Sequence, residues 1–164
     1  MTSATASGLR KVSAELLTTL GWLSGTLHVP SHVPLEEHIA LGRHHLKLTG
    51  VAVPGEPDRL RFLALRRDAV VMVAPAMAEA EAIPSPFSTP RHVACLLPGA
   101  ILRGTLQVFS NMRLSDHLQI EGQVVTLRHC LLTPYGGTAH SADARALHTA
   151  VVNLSWAIGV SEED

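Results

Sequence analysis

The sequence has little charge and few aromatic residues. Charged residues make up 16% of its 164 residues, against about 25% in an average soluble protein. Two explanations fit this shortage: a partner or another copy of the chain covers part of the surface, or Ala, Thr, Ser and His replace Lys and Glu there. The net charge is −1, so the basic surface from which nucleic-acid-binding proteins draw affinity is missing. We therefore expect no nucleic-acid partner.

Motifs that carry catalysis or cofactor binding are also missing. There is no G-x-S-x-G elbow, C-x-x-C pair, phosphate-binding glycine loop or H-E-x-x-H helix. The run Ser115-Asp116-His117 has the residue types of a catalytic triad, but consecutive residues on one short element rarely converge on one substrate atom. We expect a protein that is not an enzyme and binds no cofactor.

Cysteines are scarce, and segments that address a membrane are lacking. Cys95 and Cys130 do not have the spacing of a metal site, and we expect them to be buried free thiols. The first eight residues are small and polar, unlike a signal peptide. No apolar run approaches the ~20 residues that span a membrane. We therefore expect a cytoplasmic protein without a membrane partner.

What the sequence does contain is an internal repeat. Residues 25–54 and 104–133 align without a gap at a shift of 79 positions, and eight of the thirty aligned pairs are identical. The identical pairs are Gly25/Gly104, Thr26/Thr105, Leu27/Leu106, Val29/Val108, Ser31/Ser110, Leu35/Leu114, His38/His117 and Leu48/Leu127.

Both copies predict the same elements: two strands, a short helix and three further strands. Alternating apolar residues predict a strand at 22–29. A proline followed by two acidic residues predicts a helix at 34–41, with a counterpart at 113–118. The next strands are expected at 44–53 and 123–132. Towards the end of each copy, residues 146–147 and 150–152 align with 64–65 and 69–71 at a shift of 81 to 82.

A sheet of about five strands this small tends to curl in order to remove its edges. The sequence therefore predicts a mainly β fold of two tandem small β-barrel-like repeats, each with one short helix, related by a pseudo-twofold axis. One continuous ten-stranded barrel is the alternative. The predicted segments are a disordered N-terminus at 1–10, repeat 1 at 11–75, an Ala- and Pro-rich linker at 76–90, repeat 2 at 91–160 and an acidic tail at 161–164.

Ten histidines invite a metal hypothesis. The candidates in the first copy are His28, His32, His44 and His45. The aligned residues of the second copy are Gln, Asn, Gln and Val, so only one copy could hold such a site. Surface or half-buried histidines are the favoured interpretation, and no bound metal is expected.

Three residues are candidates for interaction. His38 and His117 occupy the same position of the two short helices, each after an acidic residue. They would form a pH-sensitive or ligand-binding patch if the helices met near the pseudo-axis. The alternative is a helix position that both copies inherited. Phe109, at the end of the strand before the second helix, is a candidate contact for a protein partner.

The order of Gly104-Thr105-Leu106, Arg113-Leu114-Ser115-Asp116-x-Leu118 and an apolar strand resembles a family of small bacterial β-barrel domains of uncharacterised function. The chain is also loosely similar to the Sm-like barrels, which are short, strongly bent sheets that assemble side by side. The resemblance implies a barrel fold and side-by-side assembly. The RNA-binding loop residues of Sm-like proteins are not found in this sequence.

These features predict a bacterial protein-interaction or assembly module that forms a homo-oligomer or binds a protein partner. An alternative is a small-molecule or metal-binding protein, or an enzyme, that uses the His-rich first repeat and a cleft between the barrels. A weaker alternative is nucleic-acid binding by the barrel surface.

Overall fold

The computed structural model describes residues 8–42, 44–77, 85–137 and 142–163. Their strands are β1 (Leu9–Thr18), β2 (Gly21–Pro30), β3 (His45–Ala52), β4 (Leu60–Arg66), β5 (Val70–Pro75), β6 (Ser88–Leu97), β7 (Ala100–Phe109), β8 (Val124–Pro134), β9 (Arg145–Asn153) and β10 (Gly159–Glu162). The helices are α1 (Leu35–Leu41) and α2 (Leu114–Glu121). The predicted mainly β fold with a short helix in each half is confirmed. Neither of these helices has the length and apolar content needed to cross a membrane.

All ten strands join one antiparallel sheet in the order β10-β6-β7-β8-β9-β5-β1-β2-β3-β4. We call β1–β5 with α1 the first half and β6–β10 with α2 the second half. Within the described residues β4 and β10 remain outer edges, so neither two closed barrels nor one continuous ten-stranded barrel is observed. The halves remove one edge each by pairing β9 with β5, in place of closure.

The expected pseudo-twofold arrangement is not seen at this pairing. The five strands of each half follow one another in the same order across the sheet. A twofold axis would place like strands together, whereas here the fourth strand of the second half pairs with the fifth strand of the first. The halves are therefore joined head to tail.

Five backbone hydrogen bonds of the first half recur at equivalent positions of the second half. Up to β3 and β8 the matched donors and acceptors lie 79 positions apart: Ser31 to Gly8 and Ser110 to Phe87, Val33 to Pro30 and Met112 to Phe109, His38 to Pro34 and His117 to Arg113. Where the donor follows β3 or β8, the matched donors lie 87 positions apart, and the matched acceptors are still 79 apart. These bonds are Arg67 to His44 and Leu154 to Gln123, and Ala76 to Ser13 and Glu163 to His92.

The shift grows because the hairpin of β8 and β9 is eight residues longer than the hairpin of β3 and β4, counted between matched positions: Val124 and Asn153 lie 29 positions apart, whereas His45 and Arg66 lie 21 apart. Opposite positions in the ladders give the same shift, since His45 pairs with Arg66 and Val124 pairs with Asn153. The counterpart of β4 is therefore β9, and the counterpart of β5 is β10. The predicted alignment of residues 150–152 with 69–71 is wrong: the former are in β9, and the latter lead into β5.

Three boundaries also differ from the predicted segments. β1 begins at Leu9, inside the predicted disordered N-terminus, and β6 begins at Ser88, inside the predicted linker. β6 accommodates Pro90 because β10 pairs with β6 only from Val93 onward, which leaves one side of the strand unpaired at the proline. β10 extends to Glu162, inside the predicted acidic tail. Residues 1–7, 78–84 and 164 of these segments lie outside the described residues.

A glycine at the same position of each half allows two strands to approach closely. The register of β2 against β3 shifts at Gly25, and that of β7 against β8 shifts at Gly104. A Cβ on Gly104 would lie 3.0 Å from the Sγ of Cys130 and 3.1 Å from the carbonyl oxygen of Arg128. Such irregularities bend a strand, and only glycine leaves room for this one.

We expect Gly104→Ala to lower the free energy of unfolding by about 1–3 kcal/mol, because the added methyl forces β7 and β8 apart. Urea unfolding followed by circular dichroism measures the change. Gly159→Ala is the matched control, since a Cβ there meets no atom within 4 Å. Equal effects of the two substitutions would contradict the explanation.

The core consists of two hydrophobic clusters, and each draws residues from both halves. The cluster centred on the second half includes Val71 and Met72 of the first half. The cluster centred on the first half includes Val124 and Val151 of the second half. The halves therefore stabilise each other through a shared interior.

Candidate interaction surface

The four metal candidates do not form a metal site in the described part of the chain. A ring nitrogen of His28 lies 2.8 Å from the hydroxyl oxygen of Thr49, and its pKa is lowered by burial and by nearby lysines. His32, His44 and His45 are exposed. Among the described residues, no three His, Cys, Asp or Glu side chains are placed to hold one metal ion.

His38 and His117 lie in different surroundings. α1 packs mainly against β8, β9 and β2, whereas α2 packs against β7. His38 is half-buried, and burial together with the charge of Arg10 lowers its pKa. His117 is buried, and its ring meets the edge of the Phe109 ring with centroids 5.7 Å apart. Each histidine has one ring nitrogen without a hydrogen-bond partner, Nε2 in His38 and Nδ1 in His117.

The third interaction candidate, Phe109, is 43% exposed. Its packing against His117 makes it part of the support of α2. Both cysteines are buried free thiols, as predicted. Burial raises the pKa of Cys95 to about 11 and that of Cys130 to about 12. Both thiols are therefore protonated near neutral pH and are not activated nucleophiles.

The two halves meet at the seam, which we define as the pairing of β9 with β5. Met72 lies opposite Val152, and Val73 lies opposite Val151. These four side chains are at most 2% exposed. Met72 and Val152 belong to one core cluster, and Val73 and Val151 belong to the other, so the seam is continuous with the core.

Polar contacts also cross the seam. The Nδ2 of Asn153 donates to the carbonyl oxygen of Val70 at 3.1 Å, and the Nε1 of Trp156 donates to that of Asp68 at 2.6 Å. The guanidinium of Arg145 lies 2.7 Å from the carboxylate of Glu15 and 4.3 Å from the ring centroid of Trp22. These contacts fix the register of the two strands.

Helix α1 of the first half covers the seam on the side of β8 and β9. Its Leu35 and Ile39 belong to the same buried cluster as Val124 and Val151. The hydroxyl of Thr126 donates to the carboxylate of Glu36. Burial raises the pKa of Glu36, although this hydrogen bond lowers it in part.

The folded chain holds the Glu36 proton more tightly than the unfolded chain does. The contribution of this group is therefore fully present below its ordinary pKa of 4.5 and is lost as the pH rises through the higher folded value. We expect Glu36→Gln to raise the melting temperature at neutral pH, because the amide keeps an acceptor for Thr126 without a buried charge.

Thermal unfolding of Glu36→Gln and wild type at neutral pH and at about pH 3.5 checks this expectation, with the difference disappearing in acid. Glu37→Gln on the same helix is the control, since Glu37 is exposed. A gain of the same size from Glu37→Gln would show that net charge, and not burial, is responsible.

The β4 edge, which we define as β4 with the adjoining face of β3, carries an open groove. Its volume is about 800 Å³, and its lining residues are Gly42, His44, His45, Leu46, Lys47, Phe62 and Ala64. Phe62 is 56% exposed. The β10 edge, which we define as β10 with Ile158, lies at the other end of the sheet, and Ile158 is 74% exposed. Two unpaired edges with exposed apolar side chains are sites where another strand can add.

Sequence reasoning did not single out Phe62, Ala64 or Ile158. They could have been found by comparison with their counterparts in the other half, which are Thr149, Val151 and Val71. The eight extra residues of the β8–β9 hairpin concealed that correspondence, because nothing in the local pattern fixes how strands pair across an insertion.

No protein-family model, curated protein or solved structure matches the chain.

Proposed function

We propose that the chain is a non-enzymatic bacterial assembly module that acts in the cytoplasm. Its unit is a bent five-stranded sheet with one short helix, present twice and joined edge to edge. The observation that carries this proposal is the seam, where an edge strand of one half completes the sheet of the other and a helix covers the joint. A sheet that already joins two halves edge to edge is suited to joining further copies in the same way.

The origin of the two halves by duplication of one unit is part of the proposal. Its support is the set of equivalent hydrogen bonds at constant shifts and the glycine at the same irregularity of both halves. The resemblance of the second half to small bacterial β-barrel domains and to Sm-like barrels agrees with side-by-side assembly.

The chemistry of the described side chains supports the same conclusion. The thiols are buried with raised pKa values, and His117 is buried against Phe109 of its own half. The exposed apolar side chains include one at each edge, Phe62 at the β4 edge and Ile158 at the β10 edge.

Light scattering after size-exclusion chromatography tests the proposal. We expect a species heavier than the 17.5 kDa chain, with a mass that is constant over a wide range of protein concentration or rises with it. A mass of one chain at every concentration would contradict self-assembly.

Metal or small-molecule binding by the first half is a second candidate. It is favoured by one observation: His44 and His45 both line the groove at the β4 edge. Elemental analysis of protein purified without chelators or a histidine tag tests it. Stoichiometric zinc or iron would support this candidate, and metal-free protein would contradict a metal site there.

A further inference from the structure

We propose that the partner in this assembly is a second copy of the chain, whose β10 edge pairs with the β4 edge of the first copy. This inference rests on the proposed function and specifies its interface. The new joint repeats the internal seam, because β4 is the counterpart of β9 and β10 is the counterpart of β5.

The internal seam predicts the register of the joint. Its observed pairs are Met72 with Val152 and Val73 with Val151. Adding 87 to the β5 residues and subtracting 87 from the β9 residues gives the pairs of the new joint. They are Gly159 of the second copy with Leu65 of the first, and Val160 of the second copy with Ala64 of the first. The same register, continued one residue beyond β10, brings the acidic Glu163, which lies 3.0 Å from Arg103 of its own chain, opposite the basic Arg61.

Residues at the free β4 edge are more exposed than their counterparts at the seam, as expected where a neighbouring strand is missing. In β9, Thr149 is 6% and Val151 is 2% exposed. Their counterparts in β4, Phe62 and Ala64, are both exposed. Phe62 exposes an aromatic ring at a position where its covered counterpart is Thr149. Exposure of this ring to water is unfavourable unless another surface covers it.

The groove at the β4 edge corresponds to the surface that α1 covers at the seam. Val124 and Val151, which lie in one cluster with α1, have His45 and Ala64 as counterparts, and both line the groove. The helix equivalent to α1 is α2, so α2 of the second copy, which supplies β10, would occupy the groove of the first copy. Ser115, the counterpart of Glu36, would then face Lys47, the counterpart of Thr126.

Charge supports this occupant. α2 carries Asp116 and Glu121, which give it acidic character. The groove presents Lys47 together with two histidines. Opposite charges on the two surfaces favour their association and fix its orientation.

The β10 edge has the complementary feature. Ile158 is 74% exposed, whereas its counterpart Val71, next to the seam in β5, is 4% exposed. Each chain thus offers one edge of each kind, and the contact is head to tail. Head-to-tail contacts generate a ring when the rotation closes and a filament when it does not.

Three matched substitutions test the joint. Phe62→Glu alters the β4 edge and Ile158→Glu alters the β10 edge. Leu20→Glu, in the turn between β1 and β2, is the control because Leu20 is 72% exposed and distant in sequence from both edges. We expect the first two variants to be monomers by light scattering and the control to keep the wild-type mass. Circular dichroism of each variant checks that it is folded.

Mixing the two monomeric variants distinguishes a head-to-tail joint from a symmetric one. Phe62→Glu retains an intact β10 edge, and Ile158→Glu retains an intact β4 edge, so their equimolar mixture can form one sound joint. We expect a 1:1 dimer and no larger species. In a symmetric contact every interface, the mixed one included, would contain at least one altered residue, so no such dimer would form.

Failure of the inference and failure of the proposed function have different signatures. A wild-type chain that is monomeric at all concentrations would overturn both. An oligomer that survives Phe62→Glu and Ile158→Glu would overturn the proposed joint and leave assembly intact. Dissociation by Leu20→Glu as well would also overturn the joint, since charge alone would then explain the result.

Discussion

Replacing Leu127 by alanine is expected to lower the free energy of unfolding by about 2–5 kcal/mol, and replacing Leu48 by alanine to lower it by a similar amount. The two leucines are counterparts in the two halves, and both are 0% exposed. The loss combines the transfer free energy of the removed atoms with the cavity that they leave. Leu41→Ala is the control, because Leu41 is 78% exposed.

The same two variants test whether the halves unfold together. Each core cluster contains residues from both halves, so we expect one cooperative transition that either substitution shifts as a whole. Trp22 belongs to the first half and Trp156 to the second, and each also contacts the other half across the seam. Urea unfolding of Trp22→Phe and Trp156→Phe chains, followed by the remaining fluorescence, should give coincident curves. Two separate transitions, only one of which moves, would show independent domains.

An aspartate at Val151 is expected to cost about 3–5 kcal/mol, the loss typical of an unpaired charge in the interior. Val151 is 2% exposed and lies opposite Val73 in the seam. This is a large share of the about 5–15 kcal/mol by which a domain is stable. We therefore expect Val151→Asp to be largely unfolded at 37 °C or to melt far below the wild-type chain.

The matched substitution is Ala64→Asp, at the counterpart position in β4. Ala64 is exposed, so within one chain we expect a change of no more than about 0.5 kcal/mol. Both aspartates are placed in the Ile158→Glu background, so that assembly adds nothing to the measured stability. Chemical unfolding measures both. A similar loss at the two positions would show that the free edge is already covered within the chain.

Local pattern was sufficient for the elements of this fold. Alternating residues around Leu27 and Leu106 specify strands, because side chains of a strand alternate between its faces. The proline and acidic residues before Ile39 specify a helix start. The start of β6 was not predicted, because Pro90 fits a strand only where one side of that strand is unpaired.

The candidate surface was not predictable in the same way. Phe62 is one apolar residue in an apolar strand, and its exposure depends on whether another strand lies beside β4. The histidines were more conspicuous in the sequence, yet His117 is buried against Phe109. Residue type alone does not show which polar groups will meet.

The sequence by itself determined the elements of each half: its strands and its short helix. These features depend on interactions between residues near one another in the chain. Only the tertiary structure decided that the halves join through β9 and β5 in one open sheet, and that β4 and β10 remain as edges. Strand pairing across the eight-residue insertion depends on which apolar faces can be buried together, and that choice is made by the packed core as a whole.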